Sequence, residues 1–282
     1  MRIDLHAHSN VSDGTQAPAE LVVAAAAAGL DVLALTDHDS TDGWAKALGA
    51  ARHHGLGLVP GMEISCKTSR GVSVHLLCYL HDPTHPGLLE EITKAKDARL
   101  TRAERMVERL SEDYPLNWDD VSAHVAPGAT VGRPHIADAL VAAGIVSDRN
   151  EAFASILTSH SRYFVSHYAP DPVLAVELVR AAGGVPVFAH PMATARGRVV
   201  EPEMFHDMID AGLLGLEVDH RDNPPENRIW LRNLARREGL LVTGSSDFHG
   251  AGKPNLLGEN TTAPEMLERL IAAGTGSAAF LP

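Results

Sequence analysis

Val32-Leu33-Ala34-Leu35-Thr36-Asp37-His38-Asp39 begins as a buried strand and ends as chemistry. A short apolar run with a branched residue at its head is the pattern of a strand covered on both faces, as in parallel sheets. A packed core has no use for Asp-His-Asp, because burying a charge is costly unless it is paired or metal-bound. The alternative is a cap for the next helix, a part that Asp39 or Ser40 can play. The same ending recurs along the chain. Ile3–His8, Leu58–Ile64, Val72–Leu80, Val185–Ala189, Leu214–Val218 and Leu240–Gly244 also read as strands, which makes seven. His6 and His8, His38, Glu63, His190, and Asp247 with His249 each stand at or just beyond the carboxyl end of one of them.

Helical patterns fill most of the links. Pro18–Ala28, Asp42–His54, Pro172–Ala182, Glu203–Ala211, Pro225–Glu238 and Pro264–Ala273 are each followed by glycine, and most start at or near proline. For Asp42–His54, Ser40 and Thr41 are the expected caps. Strands alternating with helices of this length imply parallel βαβ units. Ser65–Gly71 is too short for a crossover helix, so the third and fourth strands are expected to pair differently. From about residue 90 to 168 no buried strand is legible. Glu91–Glu112 reads as one long amphipathic helix, Arg133–Ala143 and Asn150–Ser159 as shorter ones, and Trp118–His124 as a further turn. The expected organisation is a barrel from residues 1–90 and 169–282, with 91–168 as a helical insertion that caps it.

Composition bounds the function. The 282 residues carry 24 Lys and Arg against 36 Asp and Glu, a formal charge of −12 that leaves no basic track for a long duplex nucleic acid. Hydrophobic residues at 45% and charged ones at 21% exclude a disordered chain. The start, Met-Arg-Ile-Asp-Leu-His, has no apolar leader core, and Leu21–Leu30 is too short to span a bilayer. Cys66 and Cys78 make no disulfide framework, so a reducing cytoplasm is expected. The 16 histidines raise the question of metal.

Residues i and i+2 of a strand share a face, so His6 and His8 can grip one ion, and Asp247 and His249 repeat the spacing. Glu63 interrupts an apolar run where an unpaired carboxylate would be expensive. His75, inside the next run, also has the plain reading of a hydrogen-bonded core histidine. If the strands are parallel, their ends meet at one mouth, where α/β barrels carry their active sites. A nitrogen and carboxylate donor set without thiolate suits Mn, Fe or Zn. Two or three such ions around a shared carboxylate are the standard apparatus of phosphoryl hydrolysis.

With these residues in view, the chain resembles the PHP (polymerase and histidinol phosphatase) family. Asp4-Leu5-His6-Ala7-His8-Ser9, Ser12-Asp13-Gly14, Leu35-Thr36-Asp37-His38-Asp39, Gly61-Met62-Glu63 and Ser246-Asp247-Phe248-His249 carry the likeness. It implies a distorted (β/α)7 barrel, α/β in class, with two or three divalent ions, Mn2+ first and Fe2+ or Zn2+ as alternatives. By the resemblance, His6, His8, Glu63 and Asp247 would hold one ion. Glu63 would bridge to a second ion held with His75 and His190. Asp13, His38 and His249 would hold a third. Asp at position 13, where histidinol-phosphate phosphatases usually have His, looks like the nucleotide phosphatase branch. Members of that branch remove the 3′-phosphate of nucleoside 3′,5′-bisphosphates or trim short RNA from its 5′ end.

Substrate groups are sought outside the ligands. Arg133 opens a predicted helix in Gly-Arg-Pro-His, a motif the branch shares, and guanidinium binds phosphate in a fork. Arg162, where the insertion returns, Lys253 on a glycine-rich loop, and Glu217 and His220 beyond the sixth strand are further candidates; Arg196 and Arg198 are candidates by location. Asp247, His249, Arg133 and His135 are the expected catalytic groups, with His135 or His249 among the possible proton donors. The partner is a small nucleotide or short oligonucleotide, with no membrane. Rival readings are a histidinol-phosphate or sugar-phosphate phosphatase, a C–N metallohydrolase, and a non-catalytic metal-binding module.

Overall fold

The computed structural model describes residues 1–282 and contains all seven expected strands. They are β1 (Ile3–Asp4), β2 (Val32–Leu35), β3 (Gly57–Lys67), β4 (Ser73–Tyr79), β5 (Val185–Phe188), β6 (Gly215–Asp219) and β7 (Leu241–Gly244), side by side in chain order. β1 to β3 are parallel, as are β5 to β7, and β4 runs against both its neighbours. The short link is the reason: β3 runs on to Lys67 and turns back through a hairpin in which the Thr68 N–H donates to the Val72 carbonyl at 2.9 Å. β7 returns to β1 through a parallel bridge between Ala7 and Phe248, where the His8 N–H donates to the Phe248 carbonyl at 2.8 Å. The fold is a distorted (β/α)7 barrel with a helical insertion.

The helices are α1 (Pro18–Ala27), α2 (Trp44–His54), α3 (Pro86–Leu110), α4 (Trp118–Ser122), α5 (Arg133–Ala142), α6 (Arg149–Ser155), α7 (Pro172–Ala181), α8 (Pro202–Asp210), α9 (Pro225–Glu238) and α10 (Pro264–Ala273). α2 starts two residues later than expected, with Gly43 at its cap and no side chain capping it. Ser40 bonds to Asp42 instead, and Asp39 accepts from the Ser65 N–H at 2.9 Å. The sixth helix is shorter than the expected 150–159, and Asp148 caps it on the Glu151 N–H at 2.8 Å.

Strand alternation sorts the core. Ile3, Val32, Ala34, Val59, Leu77, Tyr79 and Val187 cluster together, and the Tyr79 hydroxyl donates to the Leu5 carbonyl at 2.7 Å. The opposite faces of β2 and β3 present Leu33, Leu35 and Leu58 to α1 and α2. α3 crosses the 90/91 division drawn from the sequence. Its Leu88 and Ile92 pack with Val176 and Val179 of α7, while Ala103, Met106 and Leu110 pack with Ile136, Leu140 and Leu157 of the insertion. One helix thus serves two cores, with the buried Arg102 between its two apolar stretches.

Candidate metal centre and substrate cleft

The loop after β1 places His6 and His8 at the mouth, within reach of Glu63 from β3 and Asp247 beyond β7. One donor atom from each of these four lies within 4.8 Å of all the others. The same holds for His8, Asp13, His38 and His249, and for His38, Glu63 and His75. His75 reaches the mouth although it lies near the start of its strand, because β4 is reversed and pairs His75 with Ser65. The expected second set also meets on Glu63: His75 Nδ1 lies 2.8 Å and His190 Nε2 3.2 Å from the same oxygen, Oε1. His190 is anchored by its N–H on Glu217 at 2.7 Å, and its ring stacks against that of His6.

These donors fit a divalent cation. His6 Nε2 and His8 Nε2 face each other at 3.0 Å, with Glu63 Oε2 3.2 and 3.1 Å away and Asp247 Oδ1 3.4 Å from both. His38 Nδ1, Asp247 Oδ1 and His249 Nε2 are buried with no hydrogen-bond partner. Buried donors and acceptors left unpaired are rare, and here they converge on one space. Burial alone would lift the Glu63 carboxyl, but His6, His38 and His75 hold it well below the usual range. Asp247 is likewise held down, against burial, by Lys253 and Arg196 among others. Both carboxylates stay ionised and ready to coordinate.

The surroundings aim the donors. Glu217 Oε1 sits 2.9 Å from His6 Nδ1, which puts the proton there and leaves Nε2 free for a cation. The His249 Nδ1 donates to the Asp247 carbonyl at 2.8 Å, with the same effect. His190 and Asp247 adopt left-handed backbone, with φ of 31° and 54°, which turns their side chains off the strand line into the mouth. The loop carrying Asp13 is tied down by Asp37, which accepts from the Ser9 N–H at 2.8 Å and from the Ser12 hydroxyl at 2.7 Å. Gly14 is required there, since a Cβ would lie 2.4 Å from the His8 carbonyl oxygen.

The expected substrate groups fare unequally. Lys253 Nζ lies 3.1 Å from Asp247 Oδ2, at the mouth. Arg133 heads α5, donates Nη1 to the Leu157 carbonyl at 3.0 Å and lies over the Phe153 ring. His135 is buried, and its Nδ1 accepts the Gly132 N–H at 3.1 Å. Arg162 does not join them: it is exposed and paired with Asp113 on the outside of the insertion. Glu217 and His220 are fully buried beneath the ligands, so they face His6, His190 and Asp247 rather than an incoming substrate. A strand-end position gave no way to tell those two levels apart. Sequence reasoning underrated Arg196, which bridges Asp222 and Asp247 Oδ2 at 2.6 Å each, and missed Arg149, which forks onto Asp138 and donates to the Asp13 carbonyl at 3.2 Å. Arg198, beside it, bonds only to the Arg70 carbonyl.

Comparison with known proteins bears on this geometry. Residues 4–167 match the PHP domain model. The chain belongs to the PHP domain family. This PHP chain is 34% identical over 258 residues to a 3′,5′-nucleoside bisphosphate phosphatase of Chromobacterium violaceum, covering 89% of this chain and 88% of that protein. It is 34% identical over 249 residues to a 5′-3′ exoribonuclease of Haemophilus influenzae, covering 88% and 90%. Among solved structures, a Bifidobacterium adolescentis protein described as a metal-dependent phosphoesterase superposes with a TM-score of 0.94 at 45% identity, covering 97% and 96%. The PHP chain is a metal-dependent phosphoesterase, a hydrolase. None of its helices is long and apolar enough to cross a membrane.

Proposed function

We propose that this PHP enzyme hydrolyses phosphomonoesters of small nucleotides, foremost the 3′-phosphate of nucleoside 3′,5′-bisphosphates, leaving the 5′-monophosphate. Short 5′-phosphorylated RNA is the second substrate. The observation that carries the reading is the cluster of buried, unsatisfied donors at a mouth rimmed by Lys253 and Arg196. The likeness to a 3′,5′-nucleoside bisphosphate phosphatase and to a 5′-3′ exoribonuclease supports it. Mn2+ is the proposed metal, with Fe2+ or Zn2+ as alternatives, and the free buried thiols of Cys66 and Cys78 suit the cytoplasm.

His6, His8, Glu63 and Asp247 would hold one ion, Glu63, His75 and His190 a second, and Asp13, His38 and His249 a third, so that each histidine serves one ion with its one free nitrogen. Such ions supply a nucleophile at neutral pH and offset charge on the phosphoryl oxygens. The protein's own groups do the rest. Lys253 and Arg196 stand beside Asp247 and balance charge at the reacting phosphate. The leaving alkoxide needs a proton. His249 is committed elsewhere, with Nδ1 on the Asp247 carbonyl and the free Nε2 turned to the third donor set, 3.2 Å from Asp13. His135 accepts the Gly132 N–H at Nδ1, so its Nε2–H is the group proposed to hydrogen-bond the leaving oxygen while that oxygen takes its proton from water.

Phosphate release by the Mn2+-loaded enzyme tests the proposal, with a nucleoside 3′,5′-bisphosphate, histidinol phosphate, a 5′-nucleotide and a short 5′-phosphorylated RNA as substrates. Preference for the bisphosphate or RNA is expected, with the Asp247→Asn variant silent. Preference for histidinol phosphate would overturn the substrate class.

A further inference from the structure

We propose that Arg102, with Arg133, Arg99 and Lys67, forms a second anion subsite, which takes the phosphate that is not hydrolysed. This rests on the bisphosphate reading above. α3 places Arg99 and Arg102 one turn apart, on one face. Arg102 is 8% exposed, yet no carboxylate pairs with it. Its Nε donates to the Val165 carbonyl at 3.0 Å, and its guanidinium lies over the Phe164 ring. Its two terminal nitrogens have no protein partner. Arg133 likewise commits only Nη1, to the Leu157 carbonyl. Lys67 Nζ bonds to the His167 carbonyl at 2.7 Å and to the Ser166 hydroxyl at 3.2 Å, again without a carboxylate. Asp39 is the one acid paired with this group, and it is taken by Arg99 at 2.8 Å. His167 Nδ1 is buried and unpartnered beside them.

A buried guanidinium without a counter-charge is expensive, so the arrangement calls for an anion from outside. Burial and the neighbouring Arg133 and Arg99 pull Arg102 down to about 9. Burial and the same cations take His167 to about 3, so it is neutral and adds no charge. If these cations served only to pin the returning segment 157–167, its carbonyls would account for one nitrogen of each arginine and leave the others idle. Free guanidinium nitrogens match phosphate oxygens. The cluster also begins next to the metal centre. Arg99 bonds to the Ser65 hydroxyl, and Ser65 pairs across the ladder with His75. Arg99 Nη1 lies 3.7 Å from the place a Cβ on Gly132 would take, directly before Arg133.

The test compares kcat/KM for a nucleoside 3′,5′-bisphosphate and the matching nucleoside 3′-monophosphate in the metal-loaded wild type and in Arg102→Met, which keeps most of the aliphatic stem. The preference for the bisphosphate should fall about 10- to 100-fold, as loss of a charged hydrogen bond does, and Arg102→Lys should restore part of it. An unmoved ratio overturns the subsite. Calorimetry with a nucleoside 5′-monophosphate and the bare nucleoside separates this proposal from the substrate reading. If wild type turns over no bisphosphate but binds the 5′-monophosphate more tightly, and Arg102→Met loses that increment, the subsite stands and the substrate reading falls. Equal binding of the two ligands by wild type overturns the subsite. Should Arg102→Met lose its native circular dichroism, Lys67→Gln replaces it, with the same direction of change expected and an unmoved ratio again decisive against.

Discussion

Glu217 accepts from His6 at one oxygen and from the His190 N–H at the other, so one carboxylate orients two of the side chains around the metal centre. Replacing it with Gln keeps the shape but offers the His6 ring a weaker and less directional partner. Glu217→Gln should lower Mn2+ affinity roughly 10- to 100-fold, read by calorimetric titration, and an unchanged affinity would remove its orienting role. Removing a donor is harsher. Asp247→Asn and His8→Ala should abolish phosphate release while circular dichroism stays native, since both lie at the mouth and outside the apolar clusters. At Arg133 the loss is of substrate binding. Arg133→Ala should reduce kcat/KM about 10²-fold for phosphate-bearing substrates if it makes a charged hydrogen bond worth ~2–3 kcal/mol. Kinetics equal to wild type would take Arg133 out of the site.

At the scale of elements, what was legible follows local rules. Apolar runs between glycines marked the strands, and the short Ser65–Gly71 link foretold the reversed β4. The donors were visible because Glu63 and Asp-His-Asp make no sense in a core. What stayed hidden depends on partners far apart in sequence. Arg99 reaches Ser65, Arg149 reaches the Asp13 carbonyl, and each looks on its own helix like any solvated arginine. The loop that brings Asp13 in can be tested on its own. A Cβ at position 14 meets backbone, which cannot swing aside as a side chain can. Gly14→Ala should cost about 1–3 kcal/mol in urea melts and weaken metal binding with it. Native stability in that variant would show that the loop yields freely.

For the whole molecule, pH acts through groups that folding forbids to charge. His81 is 1% exposed, against Trp44, and burial lowers its pKa from 6.5 to about 4. The unfolded chain therefore takes up a proton near pH 6.5 that the folded chain refuses until about pH 4. Between those values the unfolded state binds more protons, so stability falls as pH falls. The contribution is complete above the upper value and spent below the lower one. Over the whole window it amounts to roughly 3 kcal/mol. Metal-free protein is the right material, because bound ions add their own linkage as their ligands protonate. Urea melts of wild type and His81→Gln from pH 7.5 down to 4 should show wild type losing stability more steeply, and the gap between the two curves should change mostly below pH 6.5. Parallel curves would mean that His81 charges as readily in the fold as in water, and that the acid sensitivity of this barrel comes from its mouth alone.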